Sequence, residues 1–397
     1  MIFEDLGLNE SLFSTIQGMG FDKPTKIQGE SIPHILKGFD VIGESETGSG
    51  KTLAFGAGII EKVKAKEGLQ ALVLTPTREL AEQVNSAIQG FSNGGGLRVV
   101  SIYGGVSINN QIHELTRAEV VVATPGRLLD HLQRRTIDLS EVKILVLDEA
   151  DRMLDMGFID DVERIVRECP KERQTLFFSA TIDSRIRSLS ERYMKSPKEV
   201  RAGNQVDPSK LKQVYYDIPK GIKLSLLTHL LKKNEDGLSL VFCNTRHTTD
   251  FLVKNLKANK VPALAIHGGH TQNKRMSSLK FFNDAKHGVL VCTDVAARGL
   301  HIDNVSHVYN YEIPVDSKDY VHRIGRTARA GEKGRVINLL CEFDHDNFRR
   351  VQRDYREFNI DRIEKPYIER VKTIQVERER GRNMFKKRKF GGRGVRR

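Results

Sequence analysis

Lys51 and Thr52 close a run in which residue type and spacing already imply chemistry. Gly43 to Thr52 reads G-E-S-E-T-G-S-G-K-T, between the apolar segment Phe39-Asp40-Val41-Ile42 and a helical pattern over Leu53 to Lys66. A strand, a glycine-rich turn and Lys-Thr opening a helix make a phosphate-binding loop. Gly48 and Gly50 let successive N–H groups turn into one hollow, walled by Ser45, Glu46, Thr47 and Ser49, and the helix N-terminus adds partial positive charge. Lys51 is expected to reach the β- and γ-phosphates of a nucleotide, and the Thr52 hydroxyl to hold Mg²⁺. Ser45 stands where the general pattern has its first glycine.

A second chemical pair ends the segment Val142-Lys143-Ile144-Leu145-Val146-Leu147-Asp148-Glu149. Five of the six residues before Asp148 are apolar, the mark of a strand buried on both faces. Loops at the carboxyl ends of parallel strands line the ligand crevice. Asp148 is therefore expected to bind Mg²⁺ through water, and Glu149 to orient and deprotonate an attacking water.

The elements that must position these groups alternate. Strand-like runs occur at Val41-Ile42, Ala71 to Leu74, Val99 to Ile102, Val120 to Val122, Ile144 to Leu147 and Thr175 to Phe178, with helical patterns such as Arg78 to Gln89 and Arg127 to Gln133 between them. The same rhythm returns at Val214 to Tyr216, Leu238 to Phe242, Ala263 to Ile266, Val289 to Val291, Val305 to Tyr309 and Val336 to Leu340. This predicts an α/β protein with two parallel sheets and crossover helices. The expected boundaries are 1–201, a linker over 202–210, 211–367 and a basic tail over 368–397. The second half has no glycine-rich Lys-Thr loop.

Composition narrows the class. Of 397 residues, 39% are hydrophobic and 29% charged, as in globular proteins, and no long apolar run suggests a membrane segment or secretory signal. Cys169, Cys243, Cys292 and Cys341 lack metal-ligand spacing, and Cys243 and Cys292, inside apolar strand patterns, read as reduced core residues, which points to a cytoplasmic, or in a nucleated cell a nuclear, setting. The net charge of +13 implies an anionic partner, and +8 of it falls within Glu377 to Arg397, a glycine-rich stretch expected to be disordered.

With those residues in view, the chain resembles the DEAD-box ATP-dependent RNA helicases from Phe3 to about Leu340. Asp148-Glu149-Ala150-Asp151 is that family's name-giving tetrapeptide. The other signatures follow in the family's order: G-F-x-x-P-T-x-I-Q at Gly20 to Gln28, P-T-R-E-L at Pro76 to Leu80, Gly104-Gly105, T-P-G-R at Thr124 to Arg127, and S-A-T at Ser179 to Thr181. The second half adds V-F-C-N-T at Val241 to Thr245, Q-N-K-R at Gln272 to Arg275, T-D-V-A-A-R-G at Thr293 to Gly299, and H-R-I-G-R-T-A-R at His322 to Arg329.

The resemblance implies two tandem RecA-like domains, ATP between them and RNA across both. Gln28 is expected to match the donor and acceptor of adenine, supported by Thr25. Phe3 either stacks on that base or staples the first helix with Leu6 and Leu8. Arg326 and Arg329, three apart at the start of an expected helix, would approach the γ-phosphate from the second domain. Ala328 stands where the family usually has glycine. Asp151, Ser179, Thr181 and His322 resemble the groups that couple the ATP site to domain closure. Asp294 serves either the ribose or an interdomain contact, with Asp303 assigned less firmly. Arg78, Gly104, Gly105, Thr124, Arg127, Thr245, Arg275 and Thr293 are expected to touch RNA phosphate and 2′-OH groups, which positions RNA without reading its sequence.

The implied activity is RNA-stimulated ATP hydrolysis that opens short duplexes or remodels ribonucleoproteins, by a monomer away from membranes. The alternative is an ATP-regulated RNA clamp or annealing chaperone. A DNA translocase is disfavoured by the Gln28 segment and the D-E-A-D wording.

Overall fold

The computed structural model describes residues 2–45, 48–92, 96–202, 211–234, 237–285, 287–297, 302, 305–327 and 334–375. Its strands form two sheets. The first holds β1 (Val41–Glu44), β2 (Ala71–Leu74), β3 (Val99–Ile102), β4 (Val120–Ala123), β5 (Ile144–Asp148), β6 (Gln174–Ser179) and β7 (Lys198–Arg201), in the order β3-β4-β2-β5-β6-β1-β7. The second holds β8 (Leu211–Asp217), β9 (Gly237–Cys243), β10 (Ala263–Ile266), β11 (His287–Thr293), β12 (Val305–Asn310), β13 (Gly334–Leu340) and β14 (Ile360–Arg362), in the order β10-β11-β9-β12-β13-β8-β14. Every pairing is parallel, and the second order is the first shifted by seven strands.

Period-two alternation divides each sheet between two cores. Val41, Val73, Val120, Val122, Ile144 and Val146 pack into one layer with the helix Lys51–Lys62. Their neighbours Ile42, Leu72, Leu74, Val121, Leu145 and Leu147 pack into the opposite layer. Each fully buried Val, Leu or Ile contributes about 1.5–3 kcal/mol relative to exposure, so a one-residue register slip would exchange the two layers at large cost.

The expected strands all form. Two more were not foreseen, β7 and β14, one at the edge of each sheet. They are short and mostly polar; in β7 only Val200 is buried, and edge strands lack the two-sided apolar signal of central ones. The helix after the loop stops at Lys62 rather than Lys66, because Val63 is extended and Lys66 adopts φ 66°. The segment drawn as the start of the tail is tied down. Asn255 Nδ2 donates to the Ile374 carbonyl at 2.9 Å and Asn255 Oδ1 accepts from Ile374 N–H at 2.6 Å.

Candidate active site

The carboxyl ends of β1, β5 and β6 lie side by side and carry the chemistry. Ser45, just past β1, donates its N–H to the Ser179 carbonyl at the end of β6, 2.9 Å away. Ser45 Oγ and Ser49 Oγ meet at 2.8 Å in the buried interior of the loop. The loop then turns through Gly48 at φ 86° and Gly50 at φ 89° into the helix that begins at Lys51. A Cβ on Gly50 would sit 2.3 Å from Gln28 Nε2, so only glycine fits there. Lys51 is buried, and its Nζ donates to the Ser45 carbonyl at 2.9 Å. Glu46 and Thr47, two expected loop residues, fall outside the described residues.

Gln28 and Thr25 clamp the loop from outside. Thr25 Oγ1 donates to the Ser49 carbonyl at 2.7 Å, and Gln28 Nε2 donates to the Gly50 carbonyl at 3.1 Å. Gln28 Oε1 accepts from Thr25 N–H at 2.8 Å, a reciprocal cap of the helix Lys26–Leu36. One N–H and one lone pair of the Gln28 amide remain for a base edge. Phe3 is only 2% exposed and lies in the core with Leu6, the packing expected of the staple. The exposed aromatic of this region is Phe21, at 45%, four residues before Thr25. Sequence reasoning passed over it although it sits inside the G-F-x-x-P-T-x-I-Q signature.

Asp148 ends β5, buried, and accepts a hydrogen bond from Glu149 N–H at 3.0 Å. Burial pushes its carboxyl up to about 7, with the Glu149 charge adding to the rise and Lys51 opposing it. Glu149 adopts φ 52°, ψ 50°, the left-handed region that side chains avoid, and is almost wholly buried. Such strain persists where surrounding contacts over-determine it. Here Arg152 Nη1 donates to Glu149 Oε2 at 2.7 Å. Asp151 N–H donates to Ser179 Oγ at 3.2 Å, Ser179 Oγ donates to the Thr181 carbonyl at 2.8 Å, and Thr181 Oγ1 reaches Asp151 Oδ2 at 3.4 Å. The D-E-A-D and S-A-T segments thus form one hydrogen-bonded unit.

In the second half, Arg323 is the hub. It is 1% exposed, pairs with both Asp294 oxygens at 2.6 and 2.7 Å, and donates to Asn310 Oδ1, Asn244 Oδ1 and the Glu312 carbonyl. Asp294 is therefore engaged first by its own half. Arg326 is buried, but the helix Ser317–Ile324 ends before it, so it lies on a turn beyond a helix end rather than at a helix start. Arg329, Ala328 and Asp303 lie outside the described residues. His322 lines a small recess with Asp294, Asp319 and Arg326.

The chain matches the DEAD/DEAH box helicase model over residues 25–189 and the helicase conserved C-terminal domain model over residues 222–331. It is 43% identical over 370 residues to the DEAD-box ATP-dependent RNA helicase CshA of Bacillus cereus, covering 92% of this chain and 70% of that one. It belongs to the DEAD-box RNA helicases. These are ATP-dependent enzymes whose ATPase is stimulated by RNA. A DEAD box protein from Methanococcus jannaschii aligns at 38% identity with a TM-score of 0.56, over 91% of this chain and 99% of that one. Saccharomyces cerevisiae Dbp5 bound to RNA and ADP BeF₃ aligns at 30% identity with a higher TM-score of 0.80, over 91% and 95% of the two chains. The less identical relative gives the higher TM-score over the same share of this chain.

The RNA-facing candidates of this helicase sit at strand ends, and several have protein partners. Thr124 and Thr245 cap the helices Pro125–Gln133 and Arg246–Ala258, and Thr293 ends β11. Arg78 lies against Gly104 and Gly105; a Cβ on Gly105, at φ 86°, would sit 2.1 Å from Arg78 Nη1. Arg127 donates to Gln111 Oε1 at 2.8 Å and to the Val106 carbonyl, which fixes the segment after the glycine pair. Arg275 joins the halves, pairing with Glu79 at 3.2 Å where both are largely buried. Glu79, inside P-T-R-E-L, carries no sequence signal for this distant partner. Asp250, His267 and His270 are the group of metal-ligating side chains among the described residues. His267 Nε2 lies 2.9 Å from Asp250 Oδ1, and its Nδ1 accepts from Gly269 N–H at 3.1 Å. Both ring nitrogens are occupied, so the trio braces the turn before the helix Gln272–Asn283.

Proposed function

We propose that ATP binds in the loop from Ser45 to Thr52, with its adenine edge on Gln28, and that Glu149 activates the attacking water. The observation that supports this most is the convergence of a buried Lys51 after β1 with a buried Asp148 and a strained Glu149 at the end of β5, on either side of β6. Thr52 and Asp148 offer the hard oxygen donors that suit Mg²⁺, and the buried Asp148 carboxyl, pushed up to about 7, gains from a nearby divalent charge. Mg²⁺ there supplies charge neutralisation between the phosphates. Phe21 takes the stacking role on the base that Phe3 is too buried to fill.

The remaining roles extend this reading. Arg326 and Arg329 stabilise charge on the γ-phosphate from the second half, and His322 and Asp294 share a recess with Arg326. The unit of Asp151, Ser179 and Thr181 transmits the nucleotide state to the interface. Arg78, Gly104, Gly105, Thr124 and Arg127 in the first half, with Thr245, Arg275 and Thr293 in the second, hold the RNA backbone. The nucleotide domain spans 1–201 and the second domain 211–367, joined by 202–210. The enzyme acts as a cytoplasmic monomer on short duplexes or ribonucleoproteins. No helix among the described residues is long and apolar enough to cross a membrane, and its four cysteines are buried and free.

The decisive substitution is Glu149→Gln. It keeps the hydrogen-bonding shape but removes the proton acceptor, so ATP and RNA binding persist while hydrolysis stops. Single-turnover ATP hydrolysis with saturating RNA tests this, and turnover near the parent rate would remove Glu149 from the role.

A further inference from the structure

We infer that Arg152 is a positioning residue that holds the Glu149 carboxylate for catalysis. This rests on the assignment of Glu149 above. Arg152 Nη1 meets Glu149 Oε2 at 2.7 Å, with side chains 5% and 4% exposed. The pair sits within one turn, because Glu149 caps the helix Ala150–Asp155 and Arg152 lies three residues on. The backbone at φ 52° points Glu149 away from the ordinary strand direction. The guanidinium then fixes its χ angles by claiming one oxygen.

An opposite role has to be weighed: Arg152 could sequester Glu149 and suppress turnover until RNA arrives. The placement of the halves argues against it. The pair is made while Arg275 and Glu79 join the halves at 3.2 Å. A sequestering contact should be broken in that arrangement, whereas a positioning contact persists.

The test is RNA-stimulated ATPase kinetics on the full chain for Arg152→Gln, Arg152→Lys, Glu149→Gln and the Arg152→Gln/Glu149→Gln double variant. Arg152→Gln should lower kcat by about 10- to 100-fold, the scale of a misplaced catalytic group, while KM for ATP stays within about twofold. Arg152→Lys keeps the charge and should recover most of the loss. In the Glu149→Gln background, Arg152→Gln should change residual turnover by less than about threefold, because the two act as a unit. Thermal unfolding of each variant separates this from collapse of the site, and the lysine variant keeps the test valid where glutamine unfolds the domain. RNA-independent turnover that rises in Arg152→Gln would overturn the inference in favour of sequestration. So would an unchanged kcat in Arg152→Gln with Glu149→Gln inactive, which leaves the Glu149 reading intact. Full activity in both single variants would instead overturn the Glu149 reading itself.

Discussion

Two lysines occupy the same place in the two halves and have opposite surroundings. Lys51 begins the helix after β1, and Lys223 begins the helix after β8, its topological counterpart. Both are buried, at 6% and 3% exposure. Lys223 Nζ pairs with Asp344 Oδ2 at 2.8 Å and lies over the Tyr311 ring at 4.9 Å. Lys51 Nζ instead donates to a backbone carbonyl of its own loop. The segment before Lys51 holds glycines with left-handed backbone, whereas Pro219 to Ile222 before Lys223 forms a short helical turn without a concave run of N–H groups. One fold thus carries a lysine held by a carbonyl of its own loop and a lysine neutralised by a carboxylate; the surroundings are decided by the loop and the counter-charge, not by the sheet.

Substituting each lysine breaks the comparison in opposite ways. Lys51→Ala should lower kcat/KM for ATP by about 10²- to 10³-fold, the usual loss when one preorganised charge-stabilising donor is removed. Its thermal midpoint should hardly move. Lys223→Met should do the reverse: Asp344 is left buried without its cation, at about 3–5 kcal/mol of stability. Urea unfolding and ATPase rates on both variants check the pair. A large activity loss in Lys223→Met at temperatures where it is folded would mean that the second lysine also serves the nucleotide.

Gln28 sharpens what the first loop adds. Its amide is engaged by Thr25 and Gly50, so Gln28→Ala should loosen the loop as well as remove base recognition. The parent should prefer ATP over GTP in kcat/KM, because a polar site rejects an analogue through groups left unpaired. Most of that preference should disappear in the variant, together with a rise in KM for both nucleotides. A parent that uses both nucleotides equally would remove the adenine role and leave only the clamp.

The sheets and most of the first-half site were legible because they depend on patterns the chain states locally: period-two apolar runs, glycine at turns and a carboxylate after an apolar strand. What stayed hidden depends on contacts between distant residues. Nothing near Arg127 announces that the Val106 carbonyl and Gln111 hold its guanidinium, and nothing near Arg275 announces Glu79. Phe3 and Phe21 are both aromatics near the Gln28 segment, and only packing tells the buried one from the exposed one. Arg323 went unassigned for the same reason. A fully buried arginine reads in sequence like an exposed one.

The halves also differ in a titration that pH can read. Burial pushes the His307 imidazole down to about 4, with Arg335 adding to the effect. Asn234 Nδ2 donates to its Nδ1 at 3.0 Å, which fits the neutral ring. The unfolded chain binds this proton below about 6.5. Between that value and about 4 the unfolded state therefore holds more protons, and stability falls as pH drops through the window. Above about 6.5 the contribution is fully present. His131 in the first half is pushed the same way by burial and Arg127, but there the raised Asp148 carboxyl, which holds its proton in the folded state through this window, acts in the opposite direction. His307→Asn should flatten the second-half share, measured as urea midpoints across the window. An unchanged slope would place the acid sensitivity elsewhere.

The smallest expected effect on catalysis belongs to Arg378 to Arg397, outside the described residues and beyond both halves of the comparison. Seven Lys/Arg lie between Lys386 and Arg397 with no acidic residue among them. If all seven met phosphates of single-stranded RNA, the slope of log K against log salt would steepen by about 5, at roughly 0.7 per contact. Partial contact gives a smaller change in the same direction. Deleting this stretch should weaken RNA binding chiefly at low salt and flatten the slope. It should leave kcat at saturating RNA nearly unchanged, because every group assigned to the reaction precedes Ala330. The last described residues, up to Gln375, run along the helix Arg246–Ala258, whose cap Thr245 is an RNA candidate. An RNA affinity insensitive to the deletion at every salt concentration would leave the charge to solubility or targeting. A collapse of kcat would make the stretch part of the catalytic machine, and the lysine comparison would then lack one of its terms.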